Sequence, residues 1–406
     1  MSTHHDDASV SRSIPWRSGT LYIIFASSLM GVMGVSMLSP VLPELRSVFG
    51  VSDAQVGLVL TAYTLPGIVL TPLVGLAADR IGRRQVLVPL LFTFGIAGGA
   101  IGLVNSFAMV LGLRFLQGVG AAGLVTLAVT IIGDIYSGGR RDAVMGINGS
   151  ILGVGAAFYP LLGGALAAIR WNVPFLFFGI GILVGILALF VLPAGVEHTP
   201  TSAREYFMRM GAVAKLPRAL AIFVAIFTAF FIFYGAVLTV LPLLLSDTFG
   251  LSTSQIGPVL AMVSIASATV SSQYRRISKH RKAAELVALG FVAYGLSLLF
   301  VWLSPSVPWV AVSLLFFGVG FGIVMPSIDT AVVTLVSDDL RAGMMGMRTS
   351  LLRLGQTLGP VGFTAAGQRL FTSTLQGYWT LLLGAGLLAI VGGGLAYLGL
   401  RLGSGR

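Results

Sequence analysis

Gly75-Leu-Ala-Ala-Asp79-Arg80-Ile-Gly82-Arg83-Arg84 sets a compact cluster of one acid and three arginines between two long apolar runs. Charges at that density belong in water or at lipid headgroups, so the runs read as membrane helices and the cluster as the hinge joining them. Gly75 and Gly82 allow close packing and a tight turn, Asp79 suits the amides of a helix start, and Arg80, Arg83 and Arg84 prefer an anionic cytoplasmic leaflet.

The rest of the chain agrees with that reading. Its 406 residues are 56% hydrophobic and only 10% charged, with a mean hydropathy of +0.95, too apolar for a water-soluble core and shell. With no cysteine, disulfides, thiolate metal sites and cysteine nucleophiles are excluded. The net charge of +11 sits in short clusters between apolar spans, which fits membrane orientation and argues against nucleic acid as a partner. Residues 1–18, with His4, His5, Asp6 and Asp7, read as a polar cytoplasmic tail ahead of an apolar run too long for a signal-peptide core.

Twelve spans of about twenty or more mostly apolar residues are predicted, each long enough at 1.5 Å per residue to cross ~30 Å of hydrocarbon. No dyad alternation recurs, so the fold class is all-α. If both termini are cytoplasmic, nineteen lysines and arginines fall on that side and only Arg46, Arg170 and Arg369 on the other. The polar stretch 194–218 divides a first six-helix bundle, 19–193, from a second, 219–400, and 401–406 forms a short cytoplasmic tail. An offset of 200 residues relates the bundles. Phe49-Gly50-Val51-Ser52 with Gln55 and Gly57 returns as Phe249-Gly250-Leu251-Ser252 with Gln255 and Gly257, and Gly118-Val-Gly120 returns as Gly318-Val-Gly320. The halves are therefore expected to be structural copies.

Arg114, about seven residues into the fourth span and so ~10 Å deep, must face protein or water. It can be held by backbone carbonyls, or face a cavity together with Gln117 and bind substrate or modulate a proton site. Its repeat partner is Leu314, which favours the functional reading. Asp329 is a carboxylate well inside the tenth span, at the depth of Arg348 in the eleventh. The two can pair, either as a proton carrier and its switch or as a fixed fastener. Arg353, deeper still, has no obvious acid at its level. Methionines and aromatics of the central spans, among them Phe230, Tyr234, Phe321 and Met325, with Tyr159, Arg353 and Gln356, make a candidate adaptable cavity. In the fifth span Gly146, Gly155, Pro160 and Gly163, with Gly346, Gly355, Gly359 and Pro360 as counterparts in the eleventh, suit helices that pack closely and slide at the interface between halves.

These motifs carry a family resemblance. Gly75–Arg84 resembles Gly-x-x-x-Asp-Arg-x-Gly-Arg-Arg/Lys between helices two and three of the major facilitator superfamily, and Arg114-Phe-Leu-Gln117-Gly118-Val-Gly120-Ala-Ala resembles its fourth-helix motif. The fifth span is similar to the antiporter motif G-x8-G-x3-G-P-x2-G-G, except that Tyr159 stands where a glycine precedes the proline. The resemblance implies a twelve-helix transporter of two pseudo-symmetric six-helix bundles, working by alternating access. It further implies that Asp79 caps the eleventh helix near Arg341–Gly343 and that Arg83 meets Asp134, locking the cytoplasmic side in the outward-open state.

No hydrolase, metal or nucleotide motif is present, so the chain is expected to be neither an enzyme nor metal-dependent, and to use a proton gradient rather than a cofactor. The expected activity is proton-coupled export of hydrophobic or amphipathic small molecules by a monomer in the inner membrane, its partners being the bilayer, the substrate and protons. Two alternatives stand beside it: an importer or facilitator of a small organic anion using Arg114 and Arg353, and a non-transporting receptor on the same scaffold.

Overall fold

The structure, a computed structural model, describes residues 14–193, 216–335 and 338–401, with the side chains of 336–343 left out of the description. The expected linker falls largely on 194–215, outside the described residues. Helices form where the chain is apolar, because in hydrocarbon a helix satisfies its own N–H and C=O groups. They are α1 (Gly19–Phe49), α2 (Asp53–Ile81), α3 (Arg83–Ile101), α4 (Phe107–Ile135), α5 (Gly138–Ile169), α6 (Val173–Val191), α7 (Pro217–Phe249), α8 (Thr253–Ser272), α9 (Ala283–Trp302), α10 (Val307–Leu335), α11 (Asp338–Arg369) and α12 (Thr374–Arg401). Among the described residues, eleven are both long and apolar enough to cross a membrane. The remaining one, α11, has the length, at 32 residues, but carries Arg348, Arg353 and Gln356, which its neighbours shield from lipid.

α1–α6 pack on one another, as do α7–α12, and the groups meet along two seams, α2 against α11 and α5 against α8. The repeat has a physical basis in each half. Gly50 and Gly250 adopt left-handed conformations (φ +60° and +66°) that end α1 and α7, a geometry that costs glycine nothing. Two residues later Ser52 and Ser252 open α2 and α8 with capping boxes to Gln55 and Gln255. Gly118 on α4 lies where a Cβ would run into the carbonyl of Tyr63 on α2, and Gly318 repeats this against Val263, so the α2–α4 and α8–α10 crossings are equally close.

Several helices are broken. α1 passes into a 3₁₀ turn at Ser39–Val41, while residues Phe233–Val240 of α7 wind as a wider π-helix. The breaks touch: Ser39 donates to the carbonyl of Leu238 at 2.6 Å.

Candidate functional site

The seams close one face and leave the other open. Toward the face opposite the arginine-rich hinge, Gly164 lies against the carbonyl of Thr253, and Gly257 against that of Pro160. Pro160 has no N–H, which frees the carbonyl of Ala156 one turn back, and Ser264 of α8 donates to it at 3.1 Å. Along the other seam Thr61 donates to the carbonyl of Thr357 (3.0 Å), and the Thr357 and Thr64 hydroxyls lie 3.1 Å apart. The closed face is tied by charge as well. Arg46 donates to Asp53 (2.8 Å) in its own half and to both oxygens of Asp247 (2.8 and 2.5 Å) in the other, while Tyr378 donates to Asp53 at 2.9 Å. Toward the basic face the seams part: Gly75, Gly146, Gly149 and Gly346 have no atom of another helix within 4 Å of where a Cβ would lie. The result is a wedge that opens on the basic face and narrows to the closed part of the seams.

At its apex the two halves present different walls. In the first, Arg114 is fully buried, with Gln117 beside it. Its Nε donates to the carbonyl of Val59 (3.1 Å), Nη1 to Gln117 (2.7 Å) and Nη2 to the carbonyl of Gly34 (2.8 Å), and its guanidinium stacks 4.3 Å from the Tyr63 ring. All three nitrogens are engaged, and in this conformation Arg114 does not face the wedge.

In the second half Phe230, Phe233, Tyr234 and Phe321 form one aromatic cluster, with centroid separations of 4.9–6.0 Å. Arg353 lies across from Gly67 of α2, donates from Nη1 to Gln356 (3.1 Å), and Gln356 donates to the Tyr234 hydroxyl (2.7 Å). Phe321, Met325 and Asp329 follow one another at four-residue spacing on α10, so the aromatic stripe runs on toward the basic face and ends in a carboxylate. Asp329 pairs with Arg348 at 2.8 Å, and its side chain remains 43% exposed. Tyr159 is buried in the first half and Met325 half-buried in the second.

A sequence profile described as Major Facilitator Superfamily matches residues 24–360. The chain belongs to that superfamily. It is 30% identical over 359 residues to the bacillibactin exporter of Bacillus subtilis (strain 168), covering 84% of this chain and 89% of that one. To the class C tetracycline resistance protein of Escherichia coli it is 27% identical, with 86% and 89% covered. Its fold matches that of a bacterial homolog of the human lysosomal transporter Spinster, in an inward-facing and unoccupied conformation, at a TM-score of 0.81 and 19% identity over 96% of this chain and 98% of that one. This major facilitator is thus a multi-pass membrane transporter of small molecules and not an enzyme.

Three expectations drawn from the superfamily's motifs meet the geometry here. First, Arg83 meets Asp134 at 2.9 Å and Asp79 at 2.5 Å, while Arg80 is exposed and Arg84 donates to the carbonyl of Leu192 at 3.3 Å. Gly82 makes the turn with φ +101°. The Arg83–Asp134 contact that the resemblance implies is thus present, and Asp79, Arg83 and Asp134 all belong to one half. The expected seat of Asp79 near residues 341–343 falls on side chains outside the described residues. Second, Gly155 and Gly163 pack on α1, at Leu29 and Met37, and Gly355 and Gly359 on α7, at the carbonyls of Phe227 and Phe231. These contacts lie within a half, not between halves. The seam uses Gly164, one residue and ~100° further round the helix than Gly163. Third, Pro160 does stand at the seam, through its carbonyl against Gly257.

The sequence reading missed the Arg46–Asp53–Asp247–Tyr378 latch, as well as Tyr63 and Gly67. One signal for the latch was present, since Arg46 is among only three basic residues expected on its side and Asp53 and Asp247 flank the repeated Phe-Gly turn. Nothing in the sequence marks Tyr63 or Gly67.

Proposed function

We propose that this transporter exports hydrophobic or amphipathic small molecules in exchange for protons, with its basic face and both termini in the cytoplasm, so that the wedge is the inward-open state. The exporters among its relatives support the direction, and the nineteen-to-three partition of lysine and arginine supports the orientation. The observation that carries proton coupling is the Asp329–Arg348 pair at the open end of the aromatic stripe. Asp329 lies six residues, ~9 Å, from the end of α10, where a charge needs a partner or water. Its partner sits on a different helix. A carboxylate whose arginine swings away takes up a proton to become neutral, and the returning guanidinium expels it. Alternating access, by shifting α11 at the seam with α2, supplies the movement.

Proteoliposomes carrying a pH gradient test this reading. Asp329→Asn is expected to abolish uphill transport while sparing downhill exchange. Uphill transport by that variant at wild-type rates would reduce the pair to a fastener of α10 to α11.

A further inference from the structure

Among the described residues, three cations lie inside the spans, and their surroundings differ. Arg114 has all three nitrogens engaged by carbonyl oxygens, and Arg348 has Asp329. Arg353 has neither a carboxylate nor a backbone acceptor. Its Nη1 is held by Gln356, while Nε is buried against the Gly67 surface of α2 with no acceptor, and Nη2 has no hydrogen-bond partner among the described residues. Nε is closed off by α2, so Nη2 is the nitrogen left to donate to a carboxylate or similar oxyanion. An unpaired cation inside a span attracts a counter-ion, and none is supplied among the described residues.

The surroundings define the remainder of a ligand. Gln356 accepts from Arg353 with Oε1 and donates from Nε2 to Tyr234, whose ring joins Phe230, Phe233 and Phe321, so the cation borders an aromatic wall. Across the seam Tyr63 is buried, its ring on Arg114 and its hydroxyl packed against Gly34 of α1, so it adds no carboxylate to offset Arg353. A cation with no carboxylate partner beside an aromatic face fits an anionic, ring-bearing occupant. We infer that the preferred cargo is an amphipathic organic anion with an apolar, ring-bearing body, and that Arg353 is its counter-ion. This rests on the export reading above and narrows it to a substrate class. The latch and the Asp329–Arg348 pair take no part in the recognition, so charge selectivity and proton coupling are separable properties.

The test uses the full chain in nanodiscs of zwitterionic phosphatidylcholine and three probes with one pyrene body: 1-pyrenebutyrate, its neutral methyl ester and (1-pyrenebutyl)trimethylammonium. Wild type is expected to bind the anion at least about tenfold more tightly than either of the others, the equivalent of ~1.4 kcal/mol. Arg353→Gln brings the three affinities together, while Arg353→Lys keeps a reduced preference, because lysine supplies the charge without the fixed geometry of the guanidinium. The lysine variant preserves the test should the glutamine variant fail to fold. Equal binding of all three probes by wild type, or an undiminished anion preference in Arg353→Gln, overturns the inference and leaves the export reading intact. Binding of none of them defeats the export reading and this inference together.

Discussion

α1 and α7 hold equivalent places in the two halves, and each departs from the regular helical ladder part-way along, α1 at the 3₁₀ turn Ser39–Val41 and α7 in the π-helical stretch Phe233–Val240. In α1 the amide of Leu38 turns to Val35, and the carbonyl of Gly34 receives Arg114, reaching across from α4. In α7 the chain widens into a π-helix, and the carbonyl of Tyr234 receives the hydroxyl of Thr239 from its own turn, at 2.6 Å. One half thus imports a charged donor for its break, and the other uses a local neutral one. The repeat partner of Arg114 can therefore be Leu314, buried and apolar, without any loss of architecture. The asymmetry that favoured a functional Arg114 in the sequence has a structural cause.

A second pairing sharpens this. Arg114-x-x-Gln117 and Arg353-x-x-Gln356 are the same local unit, an arginine bonded to the glutamine one turn on (2.7 and 3.1 Å). Close packing converts the first into a clamp. The second, at a seam opposite Gly67, leaves Nη2 unengaged. The largest predicted effect follows from that contrast. Arg114→Leu removes three bonds from a charged donor in a dry site, each worth about 1.5–3 kcal/mol, and leaves the Gly34 carbonyl without its donor. Little folded protein should survive detergent extraction, whereas Arg353→Leu should unfold near the wild-type temperature. Equal thermal stability of the two variants would erase the distinction between clamp and site.

Thr239→Val tests the other side of the comparison. It keeps the β-branched shape, removes one neutral hydrogen bond and should cost about 1 kcal/mol, a shift in unfolding temperature well short of that for Arg114→Leu. A loss as severe as that of the arginine variant would mean that the π-helix depends on this hydroxyl, and that both halves secure their breaks with a single indispensable donor.

The fold was legible because hydrocarbon imposes it: spans of twenty apolar residues, an arginine-rich hinge and turn glycines at a fixed offset leave one architecture. The α11 helix was legible too, in spite of Arg348 and Arg353 within its span, because flanking apolar residues keep its length. The Asp329–Arg348 pair followed from depth along two antiparallel helices, a one-dimensional quantity that sequence supplies. Rotation about a helix axis is what the sequence did not supply. Gly163 and Gly164 are neighbours, yet one meets α1 and the other α8, and Arg114 was placed at the right depth but not known to point away from the wedge. The latch failed to appear for a related reason, since Arg46 and Asp247 are 201 residues apart and meet only when the two halves tilt together.

The smallest predicted effect concerns that latch, where the halves again contribute unlike parts: a cation from α1 and an acid from α7. Arg46 and Asp247 are partly exposed, with side chains 23% and 32% accessible, so their attraction is screened, and the pair should contribute only about 0.2–1 kcal/mol to closure. Asp53 is better buried and keeps its bond from Tyr378 when Arg46 is removed. Arg46→Gln should therefore shift the population toward opening of this face by a factor of about 1.4–5, without unfolding the protein. The chain has no cysteine, so spin labels introduced at the exposed, repeat-related positions Val48 and Thr248 report the distance across the face directly. Added salt should move wild type the same way and leave the glutamine variant unmoved, because only wild type has the interaction to screen. Identical distance distributions in the two proteins would show that the charges do not hold this face, and that its closure rests on the backbone contacts at Gly164 and Gly257.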